Sequence, residues 1–358
     1  MQVNTIVVGQ GLCGTWLSYW LRQAGHSFLL IDEYRPDSAS QVASGVINPV
    51  TGRSLASTWM AEILLPFAME AYTAIGAITG INCIHSSEIL HCFPSRQMED
   101  AFKKKLPALP EYLANVEDTN HWHSMLHFHY GLGAIRPALL INLQALLACW
   151  RQLLTNEHLL LAEKFNIDQM KLTADGVQYG GIAAERIIFC NGLSAMDYRY
   201  FDRLPFSPNK GKALLLEIDA LPADRIYKKG ISLVPFPYYG KQANDRIFWA
   251  GSTYENEFVV NGPTLGFRTA VEATLKDWLK PSFQIIDHLA AIRPATVERR
   301  PFVGMHPWFP RIGLLNGMGT KGCSLAPWFG KQLADHIVDA QPIQPEASLD
   351  RFSRLLQP

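Results

Sequence analysis

Asn4-Thr5-Ile6-Val7-Val8-Gly9-Gln10-Gly11-Leu12-Cys13-Gly14 decides how this chain is read. Thr5 to Val8 is an apolar, largely β-branched run of the buried-strand type, and it passes straight into Gly-x-Gly-x-x-Gly. Trp16, Leu17, Trp20 and Leu21 follow at helical spacing, and Gly25 stands where a left-handed residue ends a helix. Ser27-Phe28-Leu29-Leu30-Ile31 is a second strand, closed by Asp32. Strand, glycine turn, helix, strand and acid in this order predict a dinucleotide-binding βαβ unit. Gly9 permits the turn, Gly11 lets a pyrophosphate approach the helix N-terminus, and Gly14 lets helix and strand pack closely. Asp32, about 20 residues beyond the glycines, is placed to accept ribose hydroxyls. Which dinucleotide is bound stays open at this point.

The composition narrows the rest. The chain has 358 residues, long enough for two domains, with 48% hydrophobic and 18% charged residues, which is a globular balance. Lys plus Arg and Asp plus Glu are 32 each, so there is no net positive charge to attract nucleic acid, and none is expected as a partner. The first strand begins within a few residues of Met1, unlike a secretory signal. The longest uncharged stretch, Ala71 to Ser87, is broken by Gly76 and Gly80 and makes a poor membrane span. Six cysteines lie scattered without Cys-x-x-Cys spacing, which suits a reducing compartment, and the cytoplasm is expected.

After Asp32 comes Glu33-Tyr34-Arg35-Pro36-Asp37-Ser38-Ala39-Ser40-Gln41-Val42-Ala43-Ser44-Gly45-Val46-Ile47-Asn48-Pro49, rich in small hydroxyl residues. An acid followed by Ser-rich residues and Ala-x-Gly-x-x-x-Pro is similar to the second cofactor segment of the D-amino-acid oxidase-like flavoprotein family. The resemblance recurs at Ile188-Phe189-Cys190-Asn191-Gly192, at Gly251-Ser252-Thr253, at Ala291-Ile292-Arg293-Pro294, and at Gly317-Met318-Gly319-Thr320-Lys321-Gly322 opening a last helix. It implies non-covalent FAD, since no cysteine lies in the approach to Arg293, where covalently flavinylated relatives carry theirs. It implies that FAD is held by Gly9, Gly11, Leu12, Cys13, Gly14, Asp32, Glu33, Ser38, Ser40, Ala43, Ser44, Gly45, Ile47, Phe165, Asn191, Gly192, Arg293, Gly317, Gly319, Thr320, Lys321 and Gly322. Lys321 and the glycine loop would stabilise the anionic reduced flavin.

The expected fold class is α/β, a Rossmann-type FAD-binding domain from 1–60, 131–205 and 288–358. A mixed antiparallel-sheet substrate domain from 61–130 and 206–287 would cap it. Helix is expected within 54–80, from Arg96 to Lys105, from Arg136-Pro137 onward, from Thr269 to Leu279 and from Ser324 to Val338. Strands are expected at Glu88 to Phe93, Leu159 to Ile167, Ala184 to Cys190, Lys212 to Ile218, Ile231 to Pro235, Arg246 to Gly251 and Arg311 to Asn316. Alternation through His121, His123, His127 and His129 predicts a half-exposed strand; without acids or cysteines at ligand spacing, no metal is expected.

The resemblance implies oxidation of the C–N bond of a small amino or imino acid by hydride transfer to flavin N5, with dioxygen or another acceptor reoxidising the flavin. Arg293 is the expected catalytic-site arginine, presenting a planar fork to the substrate carboxylate. Serine at 232 stands where D-amino-acid oxidases carry a carboxylate-binding tyrosine, and Tyr238, Tyr239 and Tyr254 are substitutes. Arg299 and Arg300 serve an acidic substrate or face solvent. The alternatives are oxidation of a glycine-like substituent on a modified nucleoside, an NAD(P) dehydrogenase, and a flavin-bound protein without turnover.

Overall fold

The computed structural model describes residues 1–237 and 246–358; Tyr238 and Tyr239 lie outside them. Gln2–Val8 forms the middle of the first sheet, parallel to Phe28–Ile31 on one side and to Ile182–Phe189 on the other. Leu160–Leu161 extends the sheet beyond Phe28–Ile31, and Ile312–Asn316 pairs with the C-terminal half of Ile182–Phe189. Val7, Leu30 and Ile188 are fully buried, as the side chains of a parallel sheet covered on both faces must be. The glycine turn behaves as its sequence predicts: Gly9 has φ +97°, and a Cβ on Gly14 would lie 1.8 Å from the Gly9 carbonyl oxygen.

Helix Leu12–Gln23 lies against the last helix, Gly322–Asp339, and against Ala61–Thr79, where Trp16 meets the Tyr72 ring edge-on. Trp16 is completely buried, and burial of a side chain that size contributes about 1.5–3 kcal/mol or more. Ala61–Thr79 is, among the described residues, the one helix long and apolar enough to cross a membrane. Its Leu64, Ala68, Tyr72 and Ile75 are buried in the core, and the Tyr72 hydroxyl donates to the Cys323 carbonyl at 3.0 Å.

The second sheet has the strand order Phe283–Arg293, Asn209–Ile218, Ile247–Gly251, Ile231–Pro235, Ile226–Lys229, Ile84–Cys92, Leu132–Ile141, Val46–Ile47, with Leu113–Asn115 also paired to Leu132–Ile141. One face carries Leu90, Leu214, Leu233 and Phe248 into a core with helix Leu265–Trp278. The other carries Ile89, Ala213, Leu215 and Trp249 toward the first sheet. Leu132–Ile141 and Val46–Ile47 pair into the second sheet.

Two local expectations fail and a third is met only in part. Arg136-Pro137 does not start a helix but lies inside the strand Leu132–Ile141. The helix begins at Leu143, where the Asn142 Oδ1 accepts from the Ala145 N–H, and its buried residues Leu143, Leu146, Leu147, Trp150 and Leu154 carry the helical period. The histidine run is not a strand either. Asp118 caps a short helix, Thr119–His123, and a turn leads to Leu126, which bridges to Leu279. All four histidines are exposed, and no group of three or more metal-binding side chains exists among the described residues. Of Leu159 to Ile167 only Leu160–Leu161 is paired. The remaining expected strands and helices form within a few residues of their expected bounds.

Candidate functional site

A cavity of about 1140 Å³ lies between the two sheets. Gly9, Gly11, Leu12, Cys13, Asp32, Glu33, Ser38, Ser40, Ala43, Ser44, Gly45, Phe165, Asn191, Gly192, Arg293, Gly319, Thr320 and Gly322 all line it. Four expected residues do not. Gly14 is packed on Gly9, Ile47 is buried in its short strand, and Gly317 turns at φ +79° against Thr296. Lys321 points its Nζ to the Thr58 hydroxyl, 3.5 Å away.

At one end, helix Leu12–Gln23 begins without a side-chain cap or an acid in its first turn. The Ser40 hydroxyl accepts from the Leu12 N–H at 3.0 Å. The Asp32 carboxylate accepts from the Gln10 and Tyr34 N–H groups, each at 2.8 Å. It also pairs with Arg151 Nη1 at 2.7 Å, and the same guanidinium donates to the Gln10 side-chain oxygen and the Asp32 carbonyl. Arg151 was missed in the sequence; its one visible signal is a charge following Trp150 on an otherwise uncharged helix. Asn191 donates to the Tyr198 hydroxyl, while its Oδ1 is buried without a partner.

At the other end, Arg293 leaves the end of strand Phe283–Arg293 and crosses the neighbouring strand over Gly211. Its Nη1 donates to the Asn209 side-chain oxygen at 2.7 Å and its Nη2 to the Ser252 hydroxyl at 2.8 Å. These partners are neutral, and burial depresses the tendency of the guanidinium to stay charged. Trp249 lines the same end, anchored by its indole N–H to the Val42 carbonyl. Burial also pushes the Lys321 ammonium down to about 8, helped by the nearby Lys228 charge. Arg299 is exposed, whereas the Arg300 guanidinium covers the Trp59 ring at 4.0 Å. Tyr254 is exposed. Burial raises the Cys13 and Cys323 thiols to about 12, so both are neutral.

A family model described as FAD dependent oxidoreductase (DAO) matches residues 4–336. The chain belongs to the DAO family. Two curated relatives are glycine oxidases. That of Pseudomonas putida is 27% identical over 60% of this chain and 58% of its own length. That of Pseudomonas aeruginosa is 29% identical over 42% of this chain and 41% of its own. The aligned regions thus span about half the length of these relatives. Among solved structures, glycine oxidase from Geobacillus kaustophilus superposes with a TM-score of 0.77 at 15% identity, covering 96% of each chain, which shows a common fold. The cavity between the sheets is therefore described in a fold shared with a DAO-family enzyme, and FAD is the cofactor of that family.

Proposed function

We propose that this DAO-family chain is an FAD-dependent oxidoreductase that oxidises the C–N bond of a small amino or imino acid. The observation that carries the reading is Arg293: a half-buried guanidinium at the end of the cavity, hydrogen-bonded to neutral groups and to no carboxylate among the described residues. A buried cation without a counter-charge is costly, and a substrate carboxylate would supply one.

The residues present fit FAD. The volume exceeds that of an ordinary small-ligand pocket. The start of Leu12–Gln23, with no acid in its first turn and its Leu12 N–H taken by Ser40, offers its next N–H groups and the positive end of the helix to a pyrophosphate. Asp32, held by Arg151, offers carboxylate oxygens to the ribose, and the unpartnered Asn191 Oδ1 awaits a donor. FAD supplies the two-electron acceptor, by the family's hydride transfer to its N5. Arg293 would orient the substrate by its carboxylate, so that the carbon bearing nitrogen faces the ring system, and Trp249 would keep water from that end. Neutral Cys13 and Cys323 thiols support a non-covalent cofactor. We place dioxygen as acceptor by family analogy, and six free cysteines support the cytoplasm.

Flavin reduction by glycine and by an uncharged amine, measured anaerobically in parent and Arg293→Ala protein, tests the reading. The variant should keep its FAD and lose about 2–5 kcal/mol in kcat/KM for the carboxylate substrate alone. Equal losses for both amines would make Arg293 structural.

A further inference from the structure

The face of the second sheet that looks toward the first layer carries one continuous row of cross-strand partners: Leu289, Ala213, Gly251, Ser232, Lys228 and His91. Ala213 and Leu289 pack into the core between the layers, which fixes the direction the row faces. Residues one position along, such as Leu90, Tyr227 and Leu233, belong to the opposite core.

Lys228 has no hydrogen-bond or ion-pair partner for its ammonium among the described residues, and burial lowers its affinity for a proton. His91 is 2% exposed and its Nδ1 has no partner. Burial, then the Lys228 charge, drives His91 down to about 3, so it is a neutral imidazole. Lys321, whose ammonium donates to the Thr58 hydroxyl, is the group that the Lys228 charge acts on. Trp59, next to Thr58, lies under the Arg300 guanidinium. Lys228, Lys321 and Arg300 have no carboxylate partner among the described residues, whereas other buried or half-buried cations are paired, as at Arg225–Glu88 and Lys212–Glu255. An ammonium without a counter-charge, set by strand register beside an unsatisfied imidazole, is costly unless an anion joins them.

We infer that Lys228, with Lys321 and His91, forms a second anion subsite, and that the substrate is an amino or imino acid bearing a second carboxylate. This rests on the reading of Arg293 as the site of the first carboxylate. The Arg293 guanidinium lies against Gly211 and Ser252, so strand Ile226–Lys229 is two strands beyond Ile247–Gly251, about 10 Å at the usual spacing. A short extended diacid and the lysine side chain together can close that distance.

Glutarate and butyrate differ by one carboxylate, and neither carries an amine to oxidise. Their dissociation constants from the holoprotein can be read from the flavin absorbance shift. Glutarate should bind at least thirtyfold more tightly than butyrate to the parent. Lys228→Gln should reduce that ratio to below threefold, and Lys228→Arg should keep most of it. A ratio near one in the parent, or one unchanged in Lys228→Gln, overturns the inference; should Lys228→Gln fail to retain FAD, the parent ratio and the same series at Lys321→Gln decide. Glutamate against 2-aminobutyrate, each enantiomer, then separates the two readings. Tight glutarate binding without flavin reduction by any amino acid removes the proposed oxidation and leaves the subsite. Reduction by 2-aminobutyrate as efficient as by glutamate, with glutarate and butyrate bound alike, removes the subsite alone.

Discussion

Arg293 occupies the space that a side chain on Gly211 would need: a Cβ there would lie 1.9 Å from the Arg293 Nη2 and 2.4 Å from its Cζ. The strand pairing that sets Gly211 opposite Ala291 makes the guanidinium lie flat on the neighbouring backbone, from which it reaches Asn209 and Ser252. Orientation of the fork is thus set by an absent side chain on another strand.

Gly211→Ala should displace the guanidinium while leaving its charge in place. The expected cost is about 1–3 kcal/mol, as for other insertions into a packed site. It should appear as a raised KM for carboxylate substrates, with unchanged FAD content. Steady-state kinetics beside the FAD-to-protein absorbance ratio would check this; a parent-like KM would place the substrate away from Arg293.

Asp32→Ala should weaken FAD binding by about 1.5–3 kcal/mol, through loss of a charged acceptor for the ribose. It also strands Arg151, so the apoprotein should lose stability. Arg151→Ala in the Asp32→Ala background should restore part of that stability without restoring FAD affinity. Titration of apoprotein with FAD and urea unfolding of the three variants measure the two effects separately, and identical FAD affinity in parent and Asp32→Ala would remove Asp32 from the site.

Lys321 should make stability rise with pH. Its folded value, about 8, is below the ordinary lysine value of 10.5, because burial and Lys228 disfavour the charge. Below about 8 both folded and unfolded chains hold the proton and the full cost is present. Between about 8 and 10.5 the unfolded chain binds the proton more than the folded one does, so unfolding becomes harder as pH rises. Lys321→Met should flatten this part of the profile. Urea midpoints across that window for parent and variant test it, and equal slopes would mean the ammonium is solvated.

Acid precipitation should release all FAD into the supernatant, because burial holds the thiols that line the cavity, Cys13, Cys190 and Cys323, in the neutral form. Flavin fluorescence retained in the denatured pellet would contradict a non-covalent cofactor.

The N-terminal βαβ unit was legible because its determinants lie within one short stretch: strand, turn glycines and closing acid are neighbours in sequence. The helix after Leu143 was misplaced because Pro137 is an acceptable helix start in isolation, while the deciding interactions are the strand's pairing with Ile84–Cys92 and the Asn142 cap. Four histidines at alternate positions imitate a strand, but the Asp118 cap folds the first of them into a helical turn. Arg151 and Lys228 were invisible for a different reason. Arg151 meets Asp32 across 119 residues, and Lys228 meets His91 only through the register of two distant strands. Neither residue carries a local pattern that announces its partner.

The walls of the cavity are drawn from near residue 9, from 31 to 46, from 164 to 169, from 190 to 198, from 249 to 261, from 290 to 294 and finally from 316 to 323. During synthesis the glycine turn and Asp32 leave the ribosome first, with nothing yet to close over them. Arg293 arrives when about four-fifths of these residues have been made and the last glycine loop when about nine-tenths have, roughly 280 and 310 residues beyond the glycine turn. A ribosome stalled before residue 290 therefore carries a nascent chain with the adenosine end of the cavity and with Trp249 and Ser252, but without the arginine and the glycine loop that complete the substrate end.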